Sequence, residues 1–299
     1  MGATNHSVTK SRPWLYYALI TTALWGVWGA LIEIPEKAGF PATLGYAVWA
    51  LTLVPVSLVA MKLIAWKPDK DIKSVMIGLA AGFMGCGGQL ILFQALRSGP
   101  AYIVFPIISL YPVVTILLSV FFLREKTSKK GWAGIIIALV AILLLAYIPP
   151  GGNASHSYTW LLLAAVVFVL WGVQAFVMKM AGDSRKPGNM QAESFVLYTM
   201  VSAVLLIPVA VYMTDFSLPI NWGLKGFYTA ALVQLLNAAG YLFFAYTMRY
   251  GKAIIVVPML ALAPVVTVIL SLIIYAVIPH PVIMAGMVLA FLAIYLMAE

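Results

Sequence analysis

Side-chain amides interrupt two apolar stretches of this sequence, and they do so at related places. Gln89 and Gln94 lie in one stretch; Gln234 and Asn237, three residues apart, lie in another, followed by Tyr241 and Tyr246. In an earlier stretch Trp25 and Trp28 are three apart, and Trp171 and Gln174 repeat that spacing further on. Residues three apart on a helix share a face, so each pair presents two groups side by side. An unpaired amide in hydrocarbon costs several kcal/mol. These groups must therefore bond to neighbouring helices or line a wet cavity that takes a polar ligand. For any single residue the two readings stand level; four amides on related segments favour a cavity. Tryptophans normally gather at membrane interfaces, so indoles at mid-helix are either core filling or walls for an apolar, aromatic or cationic ligand. Tyr111, Tyr102 and Trp49 are weaker candidates of the same kind. The expected substrate contacts are Trp25, Trp28, Gln89, Gln94, Tyr111, Trp171, Gln174, Gln234, Asn237 and Tyr241.

Charged groups offer less. Glu33 closes the first apolar stretch, and an intramembrane carboxylate is a candidate proton carrier or cation ligand. Glu36 and Lys37 follow at once, which favours the competing reading of Glu33 as a residue of the outer headgroup region. Lys179 occupies the related place in the second half and is expected to snorkel to the cytoplasmic interface. Arg97 either binds a carboxylate or caps its own helix. Catalysis finds no footing: no Ser/His/Asp set and no paired carboxylates stand out, so the expectation is that the chain is not an enzyme. The single Cys86 and the scattered His6, His156 and His280 give no metal spacing, and no Walker-type loop is present. Neither a cofactor nor a metal is expected.

Composition says what positions these groups. The 299 residues are 64% hydrophobic and 9% charged, with a mean hydropathy of +1.02. Soluble domains carry roughly 25% charged residues, so lipid must be the main solvent. Ten apolar runs of membrane-spanning length lie at 14–34, 42–60, 75–96, 101–123, 131–148, 158–178, 194–213, 226–248, 253–278 and 282–297. Lys10 and Arg12 precede the first run, which lacks a cleavage site and reads as a retained helix. With the N-terminus cytoplasmic, fifteen Lys and Arg fall inside and three (Lys37, Arg97, Lys225) outside. The positive-inside rule then puts both termini in the cytoplasm. The net charge of +9 is spread over short loops and not gathered for nucleic acid.

An internal repeat organises the runs. From Arg97 to Ser119, 13 of 23 positions are identical to Arg249–Ser271 without a gap, including Pro106/Pro258 and Pro112/Pro264. Leu24-Trp25-Gly26-Val27 is matched by Leu170-Trp171-Gly172-Val173. Five helices per repeat is odd, so the second copy sits upside down, with 14–148 and 158–297 as the two repeats after a cytoplasmic tail at 1–13. Inverted repeats suit alternating access around a midplane site. The four prolines, with the glycines before them, are expected to serve as hinges; the competing reading is that they only kink and pack.

The Leu-Trp-Gly segments, the Ala-Leu-Arg-x-Gly-Pro-Ala run at 95–101, the Arg-Glu-Lys turn at 124–126 and Gly131-Trp-Ala-Gly134 resemble the drug/metabolite transporter superfamily, specifically its ten-helix EamA-type members. The similarity runs from about Trp14 to Met297 and departs at Glu125, which has no acidic counterpart in the second repeat. The resemblance implies two four-helix groups around a central cavity, with the fifth and tenth helices peripheral. It implies a secondary carrier of a bacterial inner membrane, exporting amino acids or related small metabolites. Import of sugars, nucleosides or drugs, and a channel or non-transporting membrane component, stay open as alternatives. A small-molecule substrate and membrane lipid are the expected partners, nucleic acid is not, and homodimerisation through the peripheral helices is left open.

Overall fold

The computed structural model describes residues 13–99, 101–148, 158–186, 188–275 and 278–298, apart from the side chains of 101, 102 and 275. The tail at 1–12, the segment joining the two repeats and the side chain of Tyr102 therefore lie outside the described residues. Among the described residues every regular element is helical. In chain order they are α1 (Pro13–Leu31), α2 (Glu33–Lys37), α3 (Ala42–Leu63), α4 (Ile72–Ser98), α5 (Ala101–Ser109), α6 (Tyr111–Phe122), α7 (Lys129–Leu145), α8 (Thr159–Gly182), α9 (Ala192–Leu205), α10 (Ile207–Tyr212), a π-helical turn (Leu224–Tyr228), α11 (Thr229–Tyr250), α12 (Ala253–Leu260), α13 (Pro264–Tyr275) and α14 (Pro281–Met297).

Among the described residues eight helical segments are long and apolar enough to cross a membrane, several of them built from two consecutive elements. The helices α7 and α14, at 17 residues each, are shorter than these spans and pack against one another. Close approach along that pair is set by glycine: a methyl at Gly134 would crowd Met297, and one at Gly286 would crowd Leu144. Their other faces expose Ile136, Val140, Met284, Val288 and Phe291, as expected of helices against lipid.

Helix pairing follows the inverted repeat. The pair α1–α11 is answered by α8–α4, α1–α13 by α8–α6, and α3–α11 by α4–α9, while α3 meets its own counterpart α9. Each of these contacts joins a helix of one repeat to a helix of the other. The two halves are interleaved, and the main buried apolar cluster draws its residues from both.

Proline sets the breaks. The span that contains Pro106 and Pro112 divides at Leu110 into α5 and α6, and its counterpart divides at 261–263 into α12 and α13. Pro112 and Pro264 lack the N–H that would close the turn, so the helix restarts there. Pro55, by contrast, sits inside an unbroken α3.

The two broken helices are packed unequally. All eight residues of α12 are buried, because α12 is enclosed by α1, α6, α7, α8 and α14. In its counterpart α5, Val104 and Ile108 are buried, whereas Ile103 is 36% exposed and Phe105, Pro106 and Ile107 are half-buried. Segments of matching sequence in the two repeats thus differ in burial.

Candidate functional site

The ten expected substrate contacts fall into two groups. The first is packed within the protein, and most of its polar groups are already bonded there. Trp28 Nε1 donates to Gln234 Oε1 at 3.1 Å, and the same oxygen lies 3.5 Å from Asn237 Nδ2. Trp25 Nε1 donates to the Asn237 carbonyl at 3.3 Å, and Trp171 Nε1 donates to the Gly85 carbonyl at 3.2 Å. These last two bonds are repeat mates, since Trp25 corresponds to Trp171 and Gly85 to Asn237. Each indole presses against a glycine, Trp25 on Gly240 and Trp171 on Gly88, where any Cβ would collide with it. Buried Tyr241 shares a 2.7 Å hydrogen bond with Thr199 and faces Met178 Sδ at 3.6 Å. Tyr111 meets the edge of Trp171 with ring centroids 6.1 Å apart. Gln174 is buried against Gly85.

The second group is open. Gln89 is half-buried and Gln94 exposed on α4, and neither side chain has a hydrogen-bond partner among the described residues. Gln94's repeat mate, Tyr246, is in the opposite state: its hydroxyl donates to Glu193, and its ring stacks on Tyr17 and Tyr250. The amide on α4 and the phenol on α11 thus report the same asymmetry as α5 and α12.

Threonines that were not singled out in the sequence complete the frame. Thr115 Oγ1 donates to the Gly172 carbonyl at 2.8 Å, and Thr267 Oγ1 to the Gly26 carbonyl at 2.9 Å. Both stand inside the repeated Pro-Val-Val-Thr segment, and that repetition was the signal available. Glu193 was also missed, because its partner is 53 residues away.

Charge gathers beyond the α12 end. Lys179 is fully buried, donates to the Met248 carbonyl at 3.2 Å and pairs with Asp183 at 3.4 Å. The expectation that it snorkels to the interface is corrected: with a buried carboxylate one turn on, the ammonium has a partner without reaching water. Arg185 grips Asp183 through Nε and Nη2 and lies 3.4 Å from Glu125. Burial works against the Asp183 carboxylate, yet the Arg185 hydrogen bonds and the Lys179 charge prevail and hold it down at about 2. Glu125 is displaced the other way, upward, because burial outweighs its bond from the Ile254 amide and the nearby Lys179 and Arg185. That amide bond, 3.1 Å to Oε2, ties the start of α12 to the α6–α7 loop.

At the opposite end Glu33 is half exposed and paired with Lys37 one turn on. Arg97 reaches across to the Met213 carbonyl at the end of α10. An apolar crevice of about 280 Å³ lies at the helix breaks, lined by Phe105, Ser109, Ile142, Leu145, Ala261 and Pro264 among others. A second cleft, of about 270 Å³, lies beside Arg185 and Lys252. None of the ten expected contacts lines either cavity.

Residues 12–147 and 158–298 each match the EamA-like transporter family. An uncharacterized protein of Methanocaldococcus jannaschii is 39% identical over 76 residues, 25% of this chain and 56% of that protein. A probable magnesium transporter of Arabidopsis thaliana, NIPA9, is 22% identical over 229 residues, 73% of this chain and 64% of that one. The chain thus spans less than two thirds of the length of either relative. A solved crystal structure of a protein superposes with a TM-score of 0.79 at 17% identity, covering 96% of both chains; at that identity the likeness speaks for the fold.

Proposed function

This chain belongs to the EamA-like transporter family, and from that premise we propose that it is a secondary carrier exporting amino acids or related small polar or amphipathic metabolites by alternating access. The observation that carries the reading is the unequal packing of repeat mates: α12 is sealed while α5 is partly exposed. Two interconvertible packings of one inverted repeat are what alternating access requires. The breaks between Pro106 and Pro112 and between Pro258 and Pro264 are then the hinges about which α5 and α12 exchange roles. In this reading ten spans cross a bacterial inner membrane, with 14–148 and 158–297 as the repeats and both termini in the cytoplasm. The basic, closed end is the cytoplasmic one.

Gln89 is the residue on which the substrate reading rests. In this reading the amide of Gln89, which has no hydrogen-bond partner among the described residues, and that of Gln94 supply the polar contacts, and the indoles of Trp25, Trp28 and Trp171, held by their own bonds, supply the aromatic walls. Such a lining suits zwitterionic or neutral solutes better than polyanions. With no nucleotide-binding loop in the sequence, flux is driven by gradients or exchange.

A thermal-shift screen of the purified protein against amino acids, sugars, nucleosides, cationic drugs and magnesium tests the substrate class. A ligand that binds the folded state stabilises it by about 2.7 kcal/mol at a hundred times its Kd. An amino-acid hit abolished in Gln89→Ala, with unchanged melting of the unliganded variant, supports the proposal. Hits confined to another class, or retained in Gln89→Ala, count against it.

A further inference from the structure

The cleft of about 270 Å³ at the basic end has a lining that the transport reading leaves unused. Trp14, Thr127, Arg185, Tyr250, Lys252 and Ile255 border it. These come from the start of α1, the α6–α7 loop, the segment after α8, and the α11–α12 turn, so four separate stretches of chain converge on one space.

Its chemistry has one sign. Every polar side chain just named can donate a hydrogen bond, and among the described residues no carboxylate lines the cleft. The two acids nearby, Glu125 and Asp183, are buried and already engaged by Arg185, the Ile254 amide and Lys179. Much donor capacity is left over. Arg185 uses Nε and Nη2 on those carboxylates, and its Nη1 has no partner among the described residues. Lys252 spends one of its three donors on the Lys126 carbonyl. The Thr127 and Tyr250 hydroxyls and the Trp14 indole N–H have no partner among the described residues either. Segments 123–130, 179–186 and 249–252 together hold nine Lys and Arg against two carboxylates. A water occupies roughly 30 Å³ of liquid, so the cleft has room for a phosphate with a short polar extension. Arg matches phosphate oxygens with its planar fork, and Lys adds a point charge.

The surroundings point to what carries the phosphate. Trp14 and Tyr250 stand at helix ends, where amphipathic rings mark the headgroup level of a bilayer. Ile255 and the faces of those rings give an apolar wall beside the donors. Basic pockets between membrane helices on the cytoplasmic side are suited to anionic lipid headgroups.

We propose that this cleft binds the phosphate headgroup of an anionic phospholipid, with Arg185 and Lys252 as the phosphate contacts and Trp14 and Tyr250 flanking the headgroup. The proposal needs the chain to lie in a membrane but does not need it to transport, so its fate and that of the carrier reading are separable.

The test uses the full chain in nanodiscs of phosphatidylcholine alone or with about one third phosphatidylglycerol. Melting temperature is followed by tryptophan fluorescence, and retained lipid is counted by native mass spectrometry. The expected result is a melting temperature several degrees higher with phosphatidylglycerol, together with retained phosphatidylglycerol. Both should be lost in Lys252→Glu and kept in Lys67→Gln, which removes a cation elsewhere. Should Lys252→Glu not fold, Lys252→Gln with lipid counting gives the same decision. Equal melting in the two lipids, or full phosphatidylglycerol retention in the Lys252 variants, overturns the site. A third arm adds millimolar inorganic phosphate or glycerol 3-phosphate to phosphatidylcholine discs. If either reproduces the whole shift, the lipid assignment is overturned in favour of a soluble phosphate.

Discussion

Thr115 on α6 donates its hydroxyl proton to the backbone carbonyl of Gly172 on α8 at 2.8 Å. Thr267 and Gly26 repeat the bond at 2.9 Å in the other half. At both places a methyl on the glycine would run into the valine that precedes the threonine, Val114 or Val266. Helices are thus brought close by glycine and locked by a hydroxyl, as membrane interfaces commonly are.

Loss of either clamp should therefore cost the same in both repeats. Thr115→Val and Thr267→Val are each expected to lower stability by about 0.6–2 kcal/mol. Gly172→Ala and Gly26→Ala, which overpack the contact, should cost about 1–3 kcal/mol. Melting of the purified variants checks this, and a large effect in one repeat with none in the other would count against the symmetry.

Gln89 and Gln234 should separate stability from function. Removing Gln234 leaves Trp28 Nε1 without its acceptor, so Gln234→Ala is expected to cost about 1–3 kcal/mol. Gln89 has no side-chain bond to lose among the described residues, and Gln89→Ala should stay within about 0.5 kcal/mol while ligand-induced stabilisation disappears. Parallel melts with and without ligand distinguish the two.

Tyr246 and Glu193 tie α11 to α9. A hydrogen bond to a charged group is worth about 1.5–3 kcal/mol, so Tyr246→Phe should lose that much stability while the stack with Tyr17 and Tyr250 persists. A melting curve unchanged from the parent would show that the bond carries no weight.

Acid should act on the two buried carboxylates with opposite sign. Asp183 is held at about 2 against an ordinary 3.8; its contribution, on the order of 2 kcal/mol, is complete above pH 4 and lost as pH falls toward 2. Glu125 is raised by burial, so the folded state gains as pH falls through its raised value, before the Asp183 loss sets in. Denaturation followed between pH 7 and 2 should show this rise and then the fall. Asp183→Asn should remove the fall; by leaving buried Lys179 without its nearest counter-charge it should also cost about 3–5 kcal/mol.

The repeat, the helical class and the proline breaks were legible because each leaves a local mark: thirteen shared residues, long apolar runs, a missing N–H. The burial of Lys179 was not, although Asp183 stood four residues away in the sequence. A lysine near a helix end ordinarily reaches water, and only the tertiary enclosure of that end decides otherwise. Likewise, sequence could nominate Trp25 and Trp171 as cavity walls, but not that their N–H groups are spent on carbonyls of α11 and α4. Interhelical bonds over such separations carry no periodicity. Gln89 was readable as a candidate; its lack of a partner was not.

Counterflow in proteoliposomes is the most direct test of the carrier reading. Vesicles loaded with an unlabelled amino acid are diluted into a trace of the labelled one, without an ion gradient. The account predicts transient, saturable accumulation of label that requires the internal load and is abolished in Gln89→Ala. Label that equilibrates at a rate linear in concentration, whether or not the vesicles are loaded, would contradict it and mark the protein as a channel.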